Sequence, residues 1–148
     1  MRCLRIVIVA FAVLAGDPGR SHGFSVLAHQ AVIDGAWEPS IVPALRSRFP
    51  GATIEQLAQA RAFAYGGSHI ADLGYFPLGN VLFTNLVHYV RSGDFVTSLL
   101  ESASTLEEYA FALGALSHWI TDGIGHPEGT NRAVAELYPK LREKYGER

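Results

Sequence analysis

Apolar side chains recur at helical spacing along most of the chain, and no segment alternates convincingly between apolar and polar residues. Over residues 24–37, Val26, Leu27, Ala31, Val32 and Ala36 form a helical stripe that Ser25 can cap. Pro39 and Pro43 punctuate the chain after it. Thr53 opens TIEQLAQARAFAY with Gln56 in the capping-box position, and Gly66-Gly67 is expected to end that helix. The next stretch, GGSHIADLGYFPLGN (residues 66–80), has the Gly and Pro content of a loop. Residues 82–90 read as a helix stopped by Ser92-Gly93, and Asp94 can cap a short helix, FVTSLLESA. Ser104, with Glu107 in the capping-box position, opens STLEEYAFALGALSHWITD, which is almost uncharged beyond Glu108 and should be the central, most buried helix. A last helix covers residues 131–145. The one β-like run, IVIVAFAV, is better explained as part of a leader. The pattern predicts one all-α domain, a multi-helical bundle with short connections and one functional-looking loop.

Composition narrows the function classes. The 148 residues suffice for one domain with a real core, 49% of them are apolar, and the net charge is −2. With no basic stripe, charge gives no support for nucleic-acid binding. Residues 62–90 are nearly free of charge, which predicts a mostly buried segment. Residues 1–23 have the order of a signal peptide: Arg2 and Arg5, an apolar run over 6–15, then Gly16, Asp17 and Pro18. That run is too short to span a bilayer, which takes about 20 residues. Ser21-His22-Gly23 fits a small-residue cleavage site, which would leave Phe24 first in an exported domain of residues 24–148. An uncleaved helix or anchor is the alternative. The only cysteine, Cys3, lies in that leader, so no disulfide framework holds the exported domain. Metal ions or a good core must do so.

LSHWITDGIGHP places His118, Asp122 and His126 at steps of four. On a helix His118 and Asp122 share a face, while Gly123 and Gly125 suggest that the helix ends and His126 comes off the following turn. An imidazole and a carboxylate one turn apart can hold one divalent ion or two adjacent ones. Alone, such a pair is better explained by a histidine capping a buried Asp, but the apolar flanks make burial of both costly without partners. His88 in FTNLVHYV and His29 in SVLAHQAVI each sit among aliphatic residues, and either alone reads as a satisfied core histidine. Three such helices together point to a convergent cluster, as metal sites in bundles are built. Asp72 is the only acid between Glu55 and Asp94, and is either a turn residue or part of that site. His69 defaults to a loop histidine. Tyr75, Phe76 and Leu78 read by default as core.

With these residues in view, FSVLAHQAVID, GGSHIADLGYFPLGNVLFTNLVHYVRSGDF and YAFALGALSHWITDGIGHPEGTNRAV resemble the zinc-dependent phospholipase C family, whose fold is shared with fungal single-strand-specific nucleases. The ordered pattern H…D…H…HxxxD…H carries the resemblance. It implies an all-α fold with up to three zinc ions between helices. One ion would be held by His88, His118 and Asp122, with Asp72 as added ligand or general base. Asp122 would bridge to a second, held by His29 and by the amino group and carbonyl of the first mature residue, here Phe24 where the family has Trp. His126 would begin a third site, but no histidine follows it, and its gap from Asp122 is shorter than the family's. The zinc count is therefore two or three. The chain is either a domain lacking its C-terminal part or a shortened member with fewer metals. The implied activity is secreted phosphodiester hydrolysis by a metal-bound hydroxide, on a substrate such as a phospholipid, with peripheral contact to a membrane surface. Two alternatives stand beside it: a nuclease on the same fold, which lacks the expected basic cluster here, and a metal-binding helical domain without catalysis.

Overall fold

A computed structural model of the chain describes residues 26–146. The leader, its cleavage site, Ser25 and Phe24 lie outside the described residues. The described chain is all-α, as the periodicity predicts, with no strand among the described residues.

α1 (Val26–Ala36) runs through a π-helical turn (Trp37–Ile41) into α2 (Val42–Arg48). Pro39 and Pro43 do not break this run. Both lie on its exposed side, where one turn can widen and lose a hydrogen bond to water. The inward side carries Ile33, Trp37, Ile41 and Leu45 at steps of four, all buried. They pack on Leu57, Ala60 and Ala64 of α3 (Ile54–His69) and on Leu106 and Ala110 of α6 (Leu106–Gly125).

The Thr53–Gln56 capping box forms as the sequence suggests. At α6 the box is one residue later than expected, Thr105 with Glu108, because the Glu108 carboxylate collects the backbone N–H groups of both Ser104 and Thr105. Asp94 is not a cap. α5 (Ser92–Ser102) starts before it, and Asp94 instead accepts from the Arg91 guanidinium.

Gly66-Gly67 does not end α3, which continues to His69. Its role is close approach. A Cβ on Gly67 would lie 1.9 Å from the carbonyl oxygen of Phe111, and one on Gly114 would lie 2.0 Å from that of Ala64. The α3 and α6 backbones therefore touch at these two glycines, with Ala60, Ala64, Ala110 and Ala115 buried around them. No larger residue would let α6 sit this close to α3.

The segment expected to be a loop over residues 66–80 is helical for much of its length, ending in a 3-10 turn (Ile70–Tyr75). It leads to α4 (Val81–Asn85), capped by Asn80, and a second π turn (Leu86–Val90). The expectation that residues 62–90 are mostly buried fails. Leu73, Phe76, Leu78, Leu82 and Leu86 are all exposed, as is Tyr75. Beyond α6, a third π turn (His126–Thr130) leads to α7 (Asn131–Leu137) and α8 (Pro139–Tyr145). The single last helix expected there is split at Tyr138, because the residue before Pro139 is driven out of the helical region.

Candidate metal centre

α1, the 3-10 turn, the second π turn and α6 converge on one point. His29 (α1) is buried, with Nε2 3.4 Å from Oδ1 of Asp122 (α6). The other Asp122 oxygen, Oδ2, lies 3.3 Å from His118 Nε2, 3.6 Å from His88 Nε2 and 3.6 Å from His126 Nε2. Asp72 reaches in from the 3-10 turn, with Oδ1 3.3 Å from His88 Nε2 and Oδ2 4.0 Å from His29 Nε2. Every candidate side chain within the described residues thus gathers around one carboxylate. His126 corrects the expectation drawn from Gly123 and Gly125. The helix does not stop, since Gly125 keeps helical angles of −67° and −36°, so His126 stays one turn beyond Asp122 on the same side.

Main-chain oxygens aim two of the rings. His118 Nδ1 is 2.8 Å from the carbonyl of Ser68, and His88 Nδ1 is 2.9 Å from that of Thr84. A carbonyl can only accept, so both Nδ1 atoms carry the proton and both Nε2 atoms of the neutral rings are lone pairs. Those two Nε2 atoms face each other at 3.2 Å. This is the arrangement in which histidine serves as a metal ligand, with the far nitrogen donating to an orienting acceptor. Thr84 does a second job: its buried hydroxyl accepts from the backbone N–H of Gly74 at 2.8 Å, tying the turn that carries Asp72 to the helix that carries His88. Gly74 must be glycine here, because a Cβ would lie 2.0 Å from that hydroxyl.

The electrostatics match. Burial would raise the Asp122 carboxyl, but hydrogen bonds from His118, His29 and His88 outweigh it and hold the group well below the usual carboxylate range. Asp122 and then Asp72 push His88 up to about 10, against the opposing effect of its burial. Without a metal ion the cation beside the two acids is the His88 imidazolium, whose proton a divalent ion would replace.

The donor set fits zinc, for which neutral imidazole and carboxylate are preferred ligands. His29, Asp72 and His118 offer ligand atoms within 4.8 Å of one another, and so do His88, His118 and Asp122. A pocket of about 410 Å³ opens beside them, lined by His88, His118, Asp122 and His126 and by the apolar Val87, Val96 and Trp119.

The orienting carbonyls of Ser68 and Thr84 leave no mark in the sequence, since every residue has one. It also undervalued His69. This ring ends α3, with Nδ1 2.7 Å from the carbonyl of Tyr65 and Nε2 3.1 Å from that of Val26, and it meets His29 edge-on. It ties the start of α1 to α3 beside the cluster.

No curated protein and no solved structure matches the chain. The family model described as zinc dependent phospholipase C matches residues 27–145, a span that contains the whole cluster. The chain belongs to the zinc-dependent phospholipase C family.

Proposed function

We propose that the protein is an exported phosphodiester hydrolase of phospholipase C type, working at two or three zinc ions with Asp122 as the bridge between two of them. Family membership supports zinc-dependent, phospholipase-like hydrolysis. The observation that carries the finer reading is the division of Asp122, with Oδ1 toward His29 and Oδ2 toward His88 and His118. A carboxylate so placed can bind one cation through each oxygen. In this reading His88, His118 and Asp122 hold one ion, His29 and Asp122 a second, and the amino group and carbonyl of Phe24 would complete the second after leader cleavage. His126 would serve a third.

Bound zinc supplies a water acidic enough to attack at neutral pH and polarises a phosphoryl oxygen. The chain's own groups do the rest. Ser68 and Thr84 keep the His118 and His88 rings aimed. Asp72, beside His88 and partly exposed, would take a proton from the attacking water. Val87, Val96 and Trp119 add apolar surface to the pocket lining.

The test is zinc content by mass spectrometry together with turnover of a water-soluble phosphodiester. Zinc present with chelator-sensitive hydrolysis supports the reading. Zinc present without hydrolysis favours a metal-binding domain without catalysis. One observation speaks for that alternative: among the described residues His126 has only Asp122 as an acid or histidine partner at this distance, and it belongs to neither three-donor group. Cleavage of single-stranded nucleic acid in preference to the diester would instead point to a nuclease.

A further inference from the structure

His29 is packed between two other rings. It stacks on His118 with centroids 4.2 Å apart, and it meets His69 edge-on, with centroids 6.4 Å apart and the planes at 88°. It belongs to the first turn of α1, and that turn has little apolar anchorage. Leu27 is exposed at 74%, and the buried apolar stripe that seats α1 on α3 begins only at Ile33. The far end of α1 is tied to α3 by Asp34, which accepts from the Arg61 guanidinium and the Tyr65 hydroxyl. The near end is tied by His69. Its Nε2 lies 3.1 Å from the carbonyl of Val26, 43 residues away in sequence, and its Nδ1 lies 2.7 Å from that of Tyr65. A carbonyl can only accept, so the ring is the donor. The Tyr65 carbonyl also receives the Ser68 hydroxyl at 2.8 Å, so the contact through which His69 acts outside α3 is the one to Val26. His69 itself belongs to neither three-donor group.

We propose that His69 is a positioning residue for the second zinc ion. Its bond to the Val26 carbonyl fixes the first turn of α1, and its edge braces the His29 imidazole, so that His29 Nε2 stays beside Oδ1 of Asp122. The group of His88, His118 and Asp122 does not depend on this latch, because the Ser68 and Thr84 carbonyls aim its rings. The effect of His69 is therefore selective. Loss of the latch costs the ion at His29 and spares the ion at His88 and His118. The inference rests on the two-ion reading of Asp122.

The experiment is zinc titration of the purified protein, with bound metal counted by mass spectrometry. His69→Gln keeps a donor near the position of Nε2, within reach of Val26. His69→Asn keeps one near the position of Nδ1, which can serve only Tyr65. His69→Phe keeps a ring and removes both donors. H69N and H69F should weaken one zinc site by about tenfold or more and leave another at its wild-type affinity, while H69Q stays near wild type. In a His29→Ala background the difference should vanish, so that H29A and H29A/H69F bind zinc alike. Wild-type zinc binding in H69F, equal binding in H69N and H69Q, or weakening of every site together overturns the proposal. So does a further loss in H29A/H69F beyond that in H29A, which would mark a general loosening of the fold. If H69F does not fold, the comparison of H69N with H69Q decides. A wild type that holds a single ion sinks the two-ion reading and the proposal with it. A wild type that holds two ions and shows the selective loss, yet does not hydrolyse a soluble diester, sinks the hydrolase reading and leaves the role of His69 standing.

Discussion

His88 Nε2 and His118 Nε2 face each other at 3.2 Å although 30 residues separate them, and each ring has already committed its other N–H to a main-chain carbonyl. Two neutral rings held so would oppose lone pair to lone pair. Only a proton or a metal ion between them makes the contact favourable.

This sets a pH dependence. With metal absent, the His88 imidazolium is pushed up to about 10 by Asp122 and Asp72. An unfolded histidine titrates near about 6.5. The raised value means that the proton stabilises the fold fully below the unfolded pKa, and that this stability is lost as pH rises toward the folded one. Metal-free protein should therefore melt at falling temperature as pH climbs through that window. Zinc must displace the same proton, so calorimetry at neutral pH should show proton release as a binding heat that varies with buffer. A buffer-independent heat would contradict this.

Asp122→Asn should weaken zinc binding by about tenfold or more, since loss of even an orienting partner of a metal ligand commonly costs that much. Dialysis against a zinc buffer, followed by metal analysis, measures it. Unchanged metal content would remove the bridging role.

Gly114→Ala should destabilise the fold by about 1–3 kcal/mol or more, because the new methyl meets the Ala64 carbonyl, which cannot rotate away. Denaturant unfolding gives the stability. The variant should also hold zinc less well, since pushing α6 off α3 moves His118 from the Ser68 carbonyl. Normal stability would mean that the two backbones can separate freely.

Thr84→Val keeps the shape but removes the acceptor for the Gly74 N–H, leaving that group buried and unsatisfied at a cost of about 1–3 kcal/mol. The main-chain carbonyl that orients His88 is untouched. Hydrolysis should therefore suffer through displacement of Asp72 more than zinc binding suffers through His88. Equal loss of both would show that the turn and the helix respond as one unit.

The helices and the identity of the gathering side chains were readable from periodicity and from lone polar residues in apolar runs. His29, His88 and His118 each stood alone among aliphatic neighbours, and burial without partners is costly enough to betray a shared site. What periodicity misread was punctuation. Pro39, Pro43, Gly66, Gly67, Gly123 and Gly125 all looked like stops, yet the helix passes through each. Proline on an exposed side can be absorbed by a wider turn, and Gly67 and Gly114 answer to a neighbouring backbone that lies far away in sequence. Leu82 of α4 and Leu86 of the second π turn misled for a related reason: hydrophobicity reports a preference to leave water, not whether protein will be what covers it.

The oxygens that aim His88 and His118 belong to the main chain at positions 84 and 68. No exchange of side chain can delete them, so the aim of both rings is inherited from the winding of two helical turns and from how closely those turns pack. The vulnerability shifts accordingly. An insertion or deletion of one residue near the end of α3, or within the second π turn, would rotate a carbonyl out of reach while leaving every histidine in place. Such a change would disarm the centre without altering any of the residues that form it.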